Sequence, residues 1–113
     1  MRIAIVGSRD VKGFTLERML PHIPPEATEL VSGGAYGIDQ MAEQAAQILG
    51  LPIRIFRPDY KTNGRLAPLV RNRQIVEYAD QIYAFWDNQS RGTAYTLKLC
   101  IEQDKPFRII PLK

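Results

Sequence analysis

The 113-residue sequence has one cysteine, one histidine and one tryptophan, and each scarcity removes a class of explanation. With Cys100 alone there is no internal disulfide and no Cys-rich metal site. His22 has no evident Ser or Cys partner, and no HExxH, CxxC or P-loop pattern occurs. No run approaches the roughly 18 uninterrupted apolar residues of a membrane span. The opening MRIAIVGSRD is too briefly apolar for a signal peptide, because its run stops at Gly7-Ser8-Arg9. Internal repeats, low-complexity tracts and linkers are also missing. The expectation is one cytoplasmic domain over residues 1–113, free of membrane, metal and cofactor.

What is present is ordinary in bulk, at 45% hydrophobic and 24% charged residues. The net charge of +3 is too small to argue for nucleic acid by itself. Its make-up is more informative, since ten Arg stand against five Lys. Guanidinium groups form forked, bidentate bonds to phosphate and carboxylate, so the excess points either to anion recognition or to surface solubility. Position has to separate the two.

Strand and helix patterns alternate along the chain. Residues 2–6 (RIAIV), Glu29–Ser32, 53–56, 82–86 and 107–110 read as short buried strands. Residues 14–22 read as a first helix closed by Pro24-Pro25. Apolar residues from Ile38 to Leu49 recur at helical spacing, with Gly50 where a C-cap belongs. Residues 59–67 read as a loop with an Asn63-Gly64 turn, Pro68 opens a helix to about Tyr78, and a last helix covers 93–103. This order predicts an α/β fold, a Rossmann-like doubly wound parallel sheet of about five strands with helices on both faces.

The segments that leave the strands carry the chemistry, and strand carboxyl ends are where open α/β sheets bind ligands. Ser32-Gly33-Gly34-Ala35-Tyr36-Gly37-Ile38-Asp39 joins a strand to a helix. Its glycines let backbone amides approach an anion, and the helix beyond adds unpaired donors; a tight turn needing positive φ is the plainer explanation. Asp39 suits either a helix cap or a ribose hydroxyl. Gly7-Ser8-Arg9 offers a hydroxyl and a cation after the first strand. Arg71-Asn72-Arg73 opens a helix against its dipole, which calls for a nearby anion unless the pair is simply solvated or Arg73 pairs with Glu77. Ser90-Arg91-Gly92-Thr93 repeats the small, hydroxyl and cation recipe, with Thr93 also a possible N-cap. Trp86 serves either base stacking or edge packing. Cys100 and His22 read as structural.

Taken together, IVGSRD, LVSGGAYGID, VRNRQIVEYAD and FWDNQSRGT resemble the SLOG superfamily. This group joins the Smf proteins (DNA-processing protein A), the LOG phosphoribohydrolases and YpsA-like proteins. The YspA-like, cpYpsA-related branch looks closest, and the resemblance covers essentially the whole chain. It implies a Rossmann-like domain that binds nucleotides or nucleotide-derived ligands. In Smf proteins motifs like Ser32–Asp39 and Arg71–Arg73 contribute to a single-stranded DNA site. In LOG enzymes a glutamate stands three residues after the Thr of the Gly-Thr motif; here that place is Thr96, and a hydroxyl cannot replace a carboxylate in that hydrolysis. Asp39 and Asp87 are the remaining catalytic candidates.

Three functions follow, in order of preference. The first is a binder that senses, carries or sequesters a nucleotide-derived small molecule. The second is an N-glycosidase acting on a nucleoside monophosphate. The third is single-stranded nucleic-acid binding, ranked last because few aromatics accompany the basic residues. A homodimer or larger assembly is also expected.

Overall fold

Successive side chains of a strand face opposite ways, and in β1 (Arg2–Gly7) both sets are apolar and buried. Ile3 and Ile5 join one core, with Phe14, Met19 and the inner face of α2 (Ile38–Leu49). Ala4 and Val6 join the other, with Ile75 and Val76 of α4 (Ala67–Tyr78) and Leu97, Leu99 and Cys100 of α5 (Arg91–Glu102). A strand apolar on both sides must lie inside a sheet covered on both faces. That is its place: the computed structural model, which describes residues 1–112, has one parallel five-stranded sheet in the order β3-β2-β1-β4-β5. Here β2 is Glu29–Ser32, β3 Ile53–Ile55, β4 Gln81–Trp86 and β5 Phe107–Pro111. The predicted Rossmann-like α/β fold is therefore observed. Among the described residues no helix is long and apolar enough to cross a membrane.

Burial of Cys100 in the second core pushes its thiol up to about 11, which fits the structural role expected of it. Gly50 adopts a left-handed conformation (φ 68°) and donates to the Ala46 and Gln47 carbonyls, closing α2 as its position predicts.

Two segments depart from the sequence expectation. Residues 14–22 do not form one helix. Thr15 caps a single turn, α1 (Leu16–Met19), and a 3₁₀ turn follows over Leu20–His22, where Pro21 supplies no amide hydrogen. Residues 59–67 are not an irregular loop. The Asp59 carboxylate accepts from the Thr62 amide at 3.2 Å and starts α3 (Tyr60–Asn63); a 3₁₀ turn over Gly64–Leu66 then runs into α4.

Candidate functional site

The strand order places the topological switch between β1 and β4, so the loops leaving those strands flank the crevice. They are tied to each other. The Ser8 amide donates to the Phe85 carbonyl at 3.2 Å, and Ser8 Oγ accepts from the Asp87 amide at 3.1 Å. The Ser90 hydroxyl lies 3.1 Å from both Ser8 Oγ and Asp87 Oδ1. Ser8 is consequently buried and serves the junction. Asp87 Oδ1 also receives the amides of Gln89 and Ser90 at 2.9 Å. Those donors hold its carboxyl down to about 2. A carboxylate so engaged is a loop brace and a poor proton carrier near neutral pH. The sign of its effect is clear. Asp87 favours the folded turn above the ordinary carboxylate value of 3.8 and loses that contribution as pH falls towards 2. An NMR titration is expected to show the Ser90 amide shift following a midpoint near 2; a midpoint near 4 would contradict the bonding described.

The glycine-rich turn after β2 is braced in the same way. The Gly34 amide donates to Ser32 Oγ at 3.2 Å, and the Ala35 amide to Asp39 Oδ2 at 3.1 Å. The Ile38 amide, at the start of α2, donates to the Ser8 carbonyl at 3.1 Å. Three amides expected to face an anion are thus satisfied within the protein, and Ser32 and Asp39 are buried in satisfying them. From the first turn of α2 the Asp39 carboxylate reaches back to the Ala35 amide, outside the helix. Burial pushes its carboxyl up, while the Ala35 amide and the Arg71 guanidinium pull it down. Gly37 (φ 77°) packs against the Ser8 and Arg9 carbonyls, locking this turn to the loop after β1.

Arg71 does not open a helix. It lies in the second turn of α4, because that helix begins at Ala67. Its Nη1 donates to the Gly33 carbonyl at 2.5 Å and its Nε to Asn72 Oδ1 at 2.7 Å. A Cβ on Gly33 would sit 2.6 Å from that Nη1, so any larger residue there would displace the guanidinium. The helix dipole therefore creates no local conflict. Carbonyl and carboxylate partners answer the cation, and Nη2 donates to nothing among the described residues. Arg73 is exposed, lines neither lobe of the groove described below and makes no ion pair with Glu77 among the described residues.

A cleft of about 500 Å³ opens over this crevice. Of the residues singled out from sequence it gathers Gly7, Arg9, Gly33, Ala35, Asp39, Arg71, Asn72, Asp87, Ser90, Gly92 and Thr93. The turns after β2 and β4 therefore face one space. Gly92 and Thr93 lie in the first turn of α5, and their amides have no partner among the described residues. Ser90, not Thr93, holds the N-cap position, and Thr93 is buried in the cleft wall. Thr96 also lines the wall, but its hydroxyl donates to the Gly92 carbonyl at 3.0 Å. Arg91 is exposed and outside the lining. Trp86 packs at the edge of the second core and spends its indole N–H on the Ser90 carbonyl at 3.0 Å, so it is not a stacking surface of the cleft.

Sequence reasoning missed a second lobe, also about 500 Å³. It shares Arg9, Gly33, Ala35, Pro68 and Arg71 with the first, so the two form one groove. Tyr36, Glu43, Arg57 and Tyr60 are among the residues it adds, and a Cβ on Gly34 would meet the Arg57 guanidinium at 2.8 Å. Arg57 and Tyr60 follow β3, so the strand-exit rule that selected the other loops extends to them.

Residues 1–55, which include the motifs after β1 and β2, match the family model of DNA recombination-mediator protein A. The whole chain superposes on DNA processing protein A from Helicobacter pylori, a structure described for its single-stranded DNA binding mode, with a TM-score of 0.79 and 20% identity. The fold is therefore the one seen in that protein. For DNA processing protein A from Streptococcus pneumoniae the TM-score is 0.75 and the identity 21% over 97% of this chain. The chain spans 66% of the first relative's length and 50% of the second's. No curated protein matches it. These matches support the superfamily resemblance but not the YspA-like branch. They also overturn the preferred function. Family model and structures alike concern DNA-processing proteins, so the nucleotide-derived small molecule is withdrawn as the ligand.

Proposed function

We propose that the groove binds single-stranded DNA. The observation that carries this reading is the charge of its second lobe, where Arg9, Arg57 and Arg71 face a lining with one acid, Glu43. The first lobe carries Asp10, Asp39 and Asp87, but each is answered: Asp10 by Lys12 at 3.5 Å, Asp39 by Arg71 and the Ala35 amide, Asp87 by its own loop. The phosphate backbone belongs along the arginine-lined lobe, where guanidinium forks suit it. The likeness to a protein whose structure is described by its single-stranded DNA binding mode points the same way. A kinship with the YspA-like branch would rest on the resemblance along nearly the whole chain, not on these matches.

Fluorescence anisotropy of a labelled oligothymidylate tests the reading. Contact with three phosphates gives a slope of log K against log salt of about −2, at about −0.7 per phosphate for a single strand. Arg57→Ala and Arg9→Ala each weaken binding and flatten that slope by about 0.7. An absence of binding at low salt, or an affinity indifferent to salt, would contradict it.

A further inference from the structure

Nearly every aromatic ring in the protein is already committed. Phe14 and His22 each pack against Phe85, Phe56 against Tyr78, and Trp86 is hydrogen-bonded to the Ser90 carbonyl. Tyr78 also donates its hydroxyl to Glu29 and lies under the guanidinium groups of Arg2 and Arg54. Tyr83 is buried, and Tyr95 and Phe107 pack on the second core. Two rings are left over. Tyr36 is 71% exposed and Tyr60 is 59% exposed, and among the described residues neither ring face meets another ring or a cation and neither hydroxyl is hydrogen-bonded. They lie on different segments, one after β2 and one after β3, yet line the same lobe as the three arginines.

From this we infer that Tyr36 and Tyr60 are the base-contacting residues of the groove, stacking on bases of a single DNA strand whose phosphates lie on the neighbouring guanidinium groups; the assignment rests on the single-strand reading above. Aromatic faces beside a cationic track are what a strand with unpaired bases needs, because every base offers a π-face while its phosphates need positive charge. Both rings are held on braced backbone. The turn bearing Tyr36 is fixed by the Ser32, Asp39 and Gly37 contacts, and Tyr60 begins the turn capped by Asp59. A tyrosine on fixed backbone has only two side-chain torsions to lose, so little ordering opposes stacking. The Glu43 carboxylate in the same wall repels phosphate, which turns the strand's neutral face to that side.

The test compares a labelled oligothymidylate with an abasic strand of equal length and charge, by anisotropy at fixed salt. The wild-type protein binds the thymidylate strand about tenfold more tightly. Tyr36→Ala and Tyr60→Ala lower that ratio by several-fold each with the salt slope unchanged, while Tyr36→Phe and Tyr60→Phe keep it. Thermal melting checks that the alanine variants are folded. Equal affinity of the wild type for both strands, or alanine variants that keep the full ratio, would overturn the tyrosine assignment. Binding to neither strand would instead overturn the single-strand reading beneath it.

Discussion

Gly37→Ala is expected to lower unfolding stability by roughly 3–5 kcal/mol, more than a single alanine costs at most surface sites. Gly37 has φ 77° and ψ −122°, a combination that side chains other than glycine's avoid, so strain alone accounts for about 1–3 kcal/mol. The added Cβ would also collide with the Arg9 carbonyl and lie 2.6 Å from that of Ser8. Both are main-chain atoms of a braced loop, so neither can step aside cheaply. A fall in Tm on the order of 15 °C follows for a domain of this size. Gly50→Ala is the internal control. It has a similar φ of 68° but open space around the new Cβ, and it costs about 1 kcal/mol. Thermal denaturation followed by circular dichroism compares the two, and equal losses would show that the junction between the β1 and β2 loops is not tight.

Arg71→Ala is expected to reduce both stability and binding. It leaves the Gly33 carbonyl and Asn72 Oδ1 without their donor and removes the cation beside Asp39. Orphaned acceptors in a half-buried setting cost about 2 kcal/mol together. The pH dependence follows from the linkage sign. Burial raises the Asp39 carboxyl above 3.8, so the folded protein holds that proton more tightly than the unfolded chain does. Stability tied to that proton is complete below the unfolded value and is lost as pH rises through the folded one. Arg71 opposes this by stabilising the carboxylate. Without it the loss deepens, and the deficit of Arg71→Ala in Tm is larger at pH 7 than at pH 4. Asp39→Asn in the same chain recovers part of the difference at pH 7. A deficit independent of pH would show that the two side chains do not interact as described. Oligothymidylate affinity of the single variant falls by more than about tenfold, since a guanidinium contact to phosphate and the shape of the Gly33 turn are lost together.

The sheet was legible in the sequence because its strands are short apolar runs punctuated by Gly and Pro, and burial on both faces demands that composition. Gly50 and Pro68 marked helix ends for local reasons that tertiary contacts did not override. The Asp59 cap was also local, and its Asp-x-x-Thr spacing offered a signal; the Asn63-Gly64 turn pattern outweighed it. The site was legible as a set of strand exits, since topology brings those loops together whatever they contain. Its internal wiring was not. Nothing local in Asp39 says that its carboxylate occupies the Ala35 amide, and nothing in Arg71 says that it answers a carbonyl 38 positions away. Those pairings depend on how the β2 turn meets α4. Tyr36 lay inside the strongest motif but among residues valued for their backbone, and its exposure beside Arg57 and Tyr60 emerges only in three dimensions.

Backbone amide shifts of the isotopically labelled protein, followed during titration with a short oligothymidylate, test the central claim most directly. The predicted result is a contiguous set of perturbed amides at Arg9, Gly33–Tyr36, Tyr60, Arg71 and Gly92–Thr93, with the outer face of α2 at Gln44 and Gln47 unmoved. Shifts concentrated on that outer face, or none at a strand concentration well above the protein's, would contradict it.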